Sequence, residues 1–291
     1  MNISFIGAGK VGTSLGVYLK NNNFNILGYY SRSLISTQKA SQLTASEAFK
    51  NLSEALEADI IFITVNDDSI EEVADNIGRF VNTYENKIFV HTSGALSSAS
   101  LEILKNKTSH IVSIHPIQAF TDIECSVAQL KHTVFSIEGD LECIPTMTNL
   151  LDQCGNKHFT LGKDQKPLYH ASACVMSNYL VTLLAYGFSM LNHMGLPEDL
   201  ARESFFPLIE TTLDNVKHFG PTHALTGPIA RGDIDTIQKH LEAFDLNNFN
   251  NTELYKVMGL ATLELAKTSK LKDTDVVLKI ANLLEDHNNE N

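Results

Sequence analysis

An apolar run from Ile3 to Ile6 ends in Gly7-Ala8-Gly9-Lys10-Val11-Gly12, so the chain opens with a strand that breaks into a helix through a GxGxxG turn. A strand feeding a helix in this way begins a βαβ unit. The three glycines do different things. The first makes the tight turn, the second lets the backbone approach a pyrophosphate, and the third lets the helix pack on the sheet. Gly7, Ala8, Gly9, Lys10, Val11 and Gly12 are therefore the expected cradle for a dinucleotide, with the positive end of the helix dipole facing its phosphates.

The rest of the first half continues the pattern. Short apolar runs at 2–6, 25–30, 59–65, 87–91, 110–114, 133–137 and 157–160 read as strands, and Val11 to Lys20, Ser69 to Val81 and Ile144 to Cys154 read as helices between them. Alternating strand and helix predicts an α/β domain with a doubly wound, mainly parallel sheet of the Rossmann type over residues 1–162. After Gly162 no β-rich run remains, and apolar residues recur at helical spacing. Residues 163–291 are expected to form an all-helical domain for substrate binding and dimerisation, its helices including Glu198 to Lys217, Asp233 to Phe244, Asn251 to Lys267 and Asp273 to Glu285. The polar tail from Asp286 is expected to fray.

Composition excludes several classes. A net charge of −12 lacks the clustered Lys and Arg of a nucleic-acid footprint, and the 43% apolar content is that of an ordinary soluble globule. Cys125, Cys143, Cys154 and Cys174 have no CxxC spacing, and the eleven histidines form no HExxH pattern. We expect reduced thiols, a cytoplasmic location and no metal. The stretch Ala171 to Leu191 is long and uncharged enough to span a bilayer, but Ser172, Ser177, Asn178, Thr182 and Ser189 interrupt it. The preferred reading is a buried central helix of a large domain or of a homodimer, with no membrane partner.

The second strand selects the cofactor. An NAD site places an acidic residue about twenty positions after the glycines to hold the ribose 2′-hydroxyl. Here the strand ends Tyr29-Tyr30-Ser31-Arg32-Ser33, without a carboxylate. The Arg32 guanidinium and the Ser31 and Ser33 hydroxyls suit a 2′-phosphate, so NADP is expected over NAD. Alternatively Arg32 is a solvated surface residue and the serines start the next helix. Val65 and Asn66, at the next parallel strand's end, are expected near the cofactor's ribose, with Asp67 and Asp68 as N-caps of the helix that follows.

The remaining strand ends carry His91-Thr92-Ser93-Gly94-Ala95-Leu96 and His115-Pro116-Ile117-Gln118-Ala119-Phe120. Histidine titrates nearest neutrality, so His91 or His115 is a candidate proton donor, although either could equally tie down a strand end. In the helical half Lys166, His170, Ala173 and Ser177 fall at spacings of three and four, on one helix face. Burying Lys and His unpaired is costly, so that face is expected to meet a wet cleft. Arg231, in the loop from Ala224 to Asp233, could clamp a carboxylate or pair with a neighbouring acid.

With these motifs, and with Ala224-Leu225-Thr226-Gly227-Pro228-Ile229-Ala230-Arg231-Gly232-Asp233, the chain resembles the 6-phosphogluconate dehydrogenase-like superfamily over nearly its whole length. More narrowly it resembles Rossmann-like oxidoreductases that end in a helical domain of unknown function. The resemblance implies an NADP oxidoreductase and a homodimer built through the helical domains. In the related β-hydroxyacid dehydrogenases a serine-bearing glycine-rich loop binds substrate, which Thr92-Ser93-Gly94 matches by position, and a lysine with an asparagine one turn on completes the site. Here His170 and Cys174 hold that spacing, and Lys166 lies one turn earlier. The expected catalytic set is thus His170 as acid/base with Lys166, Ser93 and His115, acting on a small polar carbonyl, imine or alcohol. The competing expectation is an NADP(H)-binding sensor or scaffold without turnover.

Overall fold

The computed structural model describes residues 1–80, 86–105, 109–249 and 251–285. The first half runs β1 (Asn2–Ile6), α1 (Lys10–Asn21), β2 (Asn25–Tyr30), α2 (Leu34–Thr44), β3 (Glu47–Ala48), α3 (Leu52–Ala55), β4 (Ile60–Ile63), α4 (Ile70–Phe80), β5 (Ile88–His91), β6 (His110–Pro116), α5 (Ile123–Leu130), β7 (Phe135–Gly139), α6 (Ile144–Gln153), β8 (His158–Thr160) and α7 (Lys166–Cys174). The expected strands are all present, with ends moved by up to two residues. The two-residue β3 was not expected, being too short and polar to carry a pattern. Val81, the expected end of the helix now seen as α4, and the tail from Asp286 lie outside the described residues.

The eight strands form one sheet in the order β3-β2-β1-β4-β5-β6-β7-β8. All neighbouring pairs are parallel except β6 and β7. The order reverses between β1 and β4, and ligands of open α/β sheets bind outside the strands' carboxyl ends at such a switch point. Side chains alternate faces along a strand. Ile3, Phe5, Ile60, Phe62, Val90, Val112 and Ile114 therefore join one core layer, while Ile6, Ile61, Ile63, Phe89 and Ile111 join the other. Both faces are covered, which is why these strands read as continuous apolar runs.

The chain divides into two compact units, Met1–Tyr179 and Leu180–Asn291. The expected boundary at Gly162 does mark the change from strand to helix, but α7 packs with the sheet, and the division falls after a π turn at Val175–Tyr179. That turn also corrects the expected stripe. Lys166 and His170 stay together, whereas the extra residue of the π turn breaks the spacing and Ser177 is exposed.

The second unit comprises α8 (Leu180–His193), α9 (Glu198–Ala224), α10 (Pro228–Arg231), α11 (Ile234–Leu246), α12 (Thr252–Ser269) and α13 (Thr274–Glu285). Its core joins Ile229, Ile237, Leu263, Ala266, Leu271, Ile280 and Leu284, all from α10 to α13 or the turn after α12. Helix α9 is interrupted at Gly220, φ 75°, near the end expected from sequence. Asp233 caps α11 by accepting from Thr236 N–H, as its sequence position suggests. Within the single chain the long apolar helix is not buried, so of the two expected covers the domain core is not the one found. The helical run Lys163–His193 has the length and composition of a membrane span, mean hydropathy 1.4, yet none of its most apolar window is buried.

Candidate functional site

At the carboxyl ends of β1 and β4 the glycine turn and Thr64 lock together. A Cβ on Gly7, at φ 113°, would stand 2.6 Å from the Thr64 carbonyl oxygen, and one on Gly12 would collide with Thr64 Oγ1. Thr64 Oγ1 in turn donates to the Gly7 carbonyl at 2.9 Å. Gly9 has nothing within 4 Å of where its Cβ would be, which leaves the α1 N-terminus open to a diphosphate. Lys10 and Val11 line the same opening.

Two cavities meet here. One, of about 640 Å³, runs from Gly7, Ala8 and Gly9 across Ser31, Arg32 and Ser33 to Lys50, Asn51 and Ser53. The other, of about 590 Å³, runs from Gly9 and Lys10 to Ser93, Gly94, His115, Gln118 and His170. Gly9, Thr64, Val65 and Asn66 belong to both, so one trough crosses the switch point. In its first half the serines serve the local backbone: Ser33 Oγ accepts from Ser36 N–H to cap α2, and Ser31 Oγ accepts from Ser33 N–H. Arg32 is exposed. An acid-free strand end, an exposed guanidinium and the Lys50 ammonium form a donor set suited to a phosphate. Lys50 went unnoticed in sequence because it follows β3, the strand that has no pattern.

In the second half most polar groups are held by another. His91, wholly buried, accepts from Ser93 N–H at Nδ1 and donates to the Ser97 carbonyl at Nε2. Both nitrogens are used, and burial first, then Lys166, lowers its pKa to about 4. His91 is a structural clamp for the loop. The Ser93 hydroxyl donates to Asp67 Oδ2 at 2.7 Å and accepts from Ala95 and Leu96 N–H. Its hydrogen is committed, so Ser93 shapes the loop rather than offering a free donor. Asp67 is thus a partner of Ser93, and the turn it starts is preceded by Asn66, whose carbonyl accepts from Ser69 N–H. The expected helix-cap role of Asp67 and Asp68 is corrected accordingly.

Lys166 is 1% exposed, not in a wet cleft as expected. Its ammonium donates to the Ser93 carbonyl at 2.9 Å and to Ser113 Oγ at 2.7 Å. Burial lowers its pKa to about 8, against the opposing influence of Glu138 and Asp67. Lys166 pins α7 to the loop after β5 and to the middle of β6. From that anchored helix His170 reaches the cavity, and the adjacent Tyr169 hydroxyl meets His115 Nδ1 at 2.6 Å.

His115 and His170 converge on Gly94. A Cβ there would lie 2.7 Å from His170 Nδ1 and 2.9 Å from His115 Nε2. Only a glycine lets both rings close over the loop. Burial, then Lys166 and His170, lowers the His115 pKa to about 4, so the ring is neutral at pH 7. His170 Nδ1 is buried without a protein partner, and Nε2 lies 3.5 Å from Cys174 Sγ. His170 lines the cavity, and a buried ring nitrogen without a partner is uncommon in a folded protein, which singles this histidine out. Of the expected catalytic set, then, His115 and His170 face the cavity, while Lys166 and the Ser93 hydroxyl support it from behind. Arg231 belongs to the second unit, where it is exposed and lies 3.9 Å from Asp233.

Comparison with known proteins agrees with this architecture. Residues 1–116 match the model of a Rossmann-like domain, and residues 133–262 match a domain of unknown function, DUF2520. Among solved structures the chain is similar to a protein from Thermotoga maritima (24% identity, TM-score 0.73, covering 92% of this chain and 100% of that one). It is also similar to a candidate NADP oxidoreductase from Bacteroides fragilis (23% identity, TM-score 0.70, 91% and 98% covered). An imine reductase from Myxococcus stipitatus in complex with NADP+ has the same fold at 14% identity, with TM-score 0.63 and coverage of 96% and 99%. No curated protein matches by sequence.

Proposed function

We propose, for a chain that carries a Rossmann-like domain followed by a DUF2520 domain, an NADP-dependent oxidoreductase acting on a small polar carbonyl, imine or alcohol. The observation that carries this reading is the trough: a phosphate-suited half and a two-histidine half share the ends of β1 and β4. Gly9 and the first turn of α1 would hold the pyrophosphate, Ser31, Arg32, Ser33 and Lys50 the 2′-phosphate, and Val65 and Asn66 the adjoining ribose. The cofactor, when bound, supplies the hydride. The chain's own contribution is position and a proton. His170 exchanges a proton with the substrate heteroatom; His115 stands beside it over Gly94; Lys166 and Asp67 keep the Ser93 loop in place.

The test is NADPH oxidation across 2-oxo acids, aldehydes and cyclic imines. Turnover by the wild type, lowered at least ~100-fold in His170→Ala, is expected. Undiminished turnover in that variant refutes the assignment of His170, and tight NADPH binding with no turnover across the panel favours a sensor.

The assembly we propose is a homodimer through the helical unit. Val181, Leu183, Phe205, Phe206, Leu208 and Leu213 of α8 and α9 are all exposed, more apolar side chain than a soluble monomer usually leaves in water. A membrane is a poorer partner, because α7, the first part of the same helical run, is tied to the sheet by Lys166 and Tyr169. Sedimentation at micromolar concentration should give twice the 32.1 kDa of one chain. A single-chain mass would contradict the dimer. With four unbridged cysteines, a reducing, cytoplasmic setting suits the protein.

A further inference from the structure

The hydrogen bond between His115 Nδ1 and the Tyr169 hydroxyl has a direction, and that direction decides what His115 offers to a ligand. Hydroxyl donors make shorter hydrogen bonds than N–H donors, and the 2.6 Å contact is short. A neutral imidazole nitrogen is also a stronger acceptor than a phenol oxygen, so the phenol is the donor. The phenol also keeps its proton, since burial raises its pKa and the nearby Ser136 hydroxyl offsets only part of the rise.

Ser136 fits that direction. It stands opposite His115 in the β6–β7 register, is 1% exposed, and its hydroxyl has no partner at hydrogen-bond geometry. A serine hydroxyl both donates and accepts, and it can donate to the Tyr169 oxygen while the phenol proton points to His115. The imidazole is neutral and carries one ring proton. With Nδ1 accepting, that proton must sit on Nε2, the nitrogen that faces Gly94 and the cavity.

We propose that Tyr169 is a positioning residue that fixes His115 as the Nε2–H tautomer, so that His115 presents the cavity with a hydrogen-bond donor and not with a base. The tautomer stands on this geometry alone; its use in catalysis rests on the oxidoreductase reading. A neutral imidazole does not release its remaining proton near pH 7. His115 therefore polarises the group being reduced, and delivery of the proton falls to His170. The substrate class narrows accordingly. A carbonyl oxygen or a neutral imine nitrogen has a lone pair for the Nε2–H, whereas a protonated iminium has none and would meet a proton pointing at its own.

Long-range 1H–15N correlation spectra of the full chain labelled with 15N-histidine, recorded at pH 7 without cofactor, test the proposal, with His115 assigned by its loss in His115→Gln. The expected pattern is an unprotonated Nδ1 and a protonated Nε2. Tyr169→Phe should move both His115 nitrogens towards values averaged over the two tautomers, while His91, held by Ser93 and Ser97, keeps its pattern and reports an intact fold. A protonated Nδ1 in the wild type overturns the proposal, as does an unchanged His115 pattern in the folded Phe variant. Should that variant not fold, a hydrogen bond detected from the Tyr169 hydroxyl proton to His115 Nδ1 in the wild type supports the proposal, and its absence overturns it. Absence of oxidoreductase activity would leave these spectra as they are, so failure of that reading is told apart from failure of this one.

Discussion

The two halves of the trough are built differently. The half beside Arg32 relies on backbone and on exposed side chains: a glycine turn locked to Thr64, a helix N-terminus, and serines that bond only within two or three residues of themselves. The half beside His115 relies on side chains held by distant side chains: Asp67 on Ser93, Lys166 on Ser93 and Ser113, Tyr169 on His115. The first half needs to cradle phosphates, which any well-aimed N–H or cation can do. The second needs atoms held close to a reacting group, where a displacement of about 1 Å can cost roughly a hundredfold in rate. Rigidity is placed where geometry matters.

The comparison breaks most sharply at Gly94. Gly94→Ala puts a methyl group into the space of His115 and His170, and we expect turnover to fall by about a hundredfold while NADPH affinity falls much less, because the pyrophosphate and 2′-phosphate contacts lie away from that loop. Parallel loss of both would mean that the halves are not independent.

Lys166→Met tests the supporting layer. It leaves the Ser93 carbonyl and one Ser113 lone pair buried without their cation, at a cost of about 1–3 kcal/mol in stability measured by denaturant. The pH dependence carries a sign. The folded pKa of about 8 lies below the unfolded value of 10.5, so between them the unfolded chain holds more protons, and the Lys166 contribution raises stability as pH rises through that window. The Met variant should lose that slope.

A smaller effect is expected at Arg32. Arg32→Ala should weaken NADPH roughly tenfold, leave NADH nearly unchanged, and reduce the salt dependence of NADPH binding, since an exposed cation is screened. Equal loss for both cofactors would remove the 2′-phosphate role.

The same contrast explains what could be read from the sequence. The glycine turn, the strand ends and Ser31-Arg32-Ser33 are local, and local spacing carries them. Both candidate histidines were also visible, because each sits at a strand end or on a short helical spacing. Their supports were not. Tyr169 lies 54 residues from His115, and Lys166 lies 73 from Ser93 and 53 from Ser113. Nothing in helical or strand periodicity joins such pairs; only the crossing of α7 over β5 and β6 does. Asp67 looked like a helix cap because an acid before a helix usually is one, and its bond to Ser93 appears only in three dimensions. The apolar helix after Ala171 is a different case. Its composition asks for burial, but whether the cover comes from the same chain is not written in composition.

The central claim is that one trough holds a cofactor at one end and does chemistry at the other. A crystal structure of the wild type with NADP+ tests it most directly. The pyrophosphate is expected against Gly9, the 2′-phosphate beside Arg32 and Lys50, and the nicotinamide in the cavity of His115 and His170. A nicotinamide outside that cavity, or a dinucleotide bound elsewhere on the chain, would contradict it.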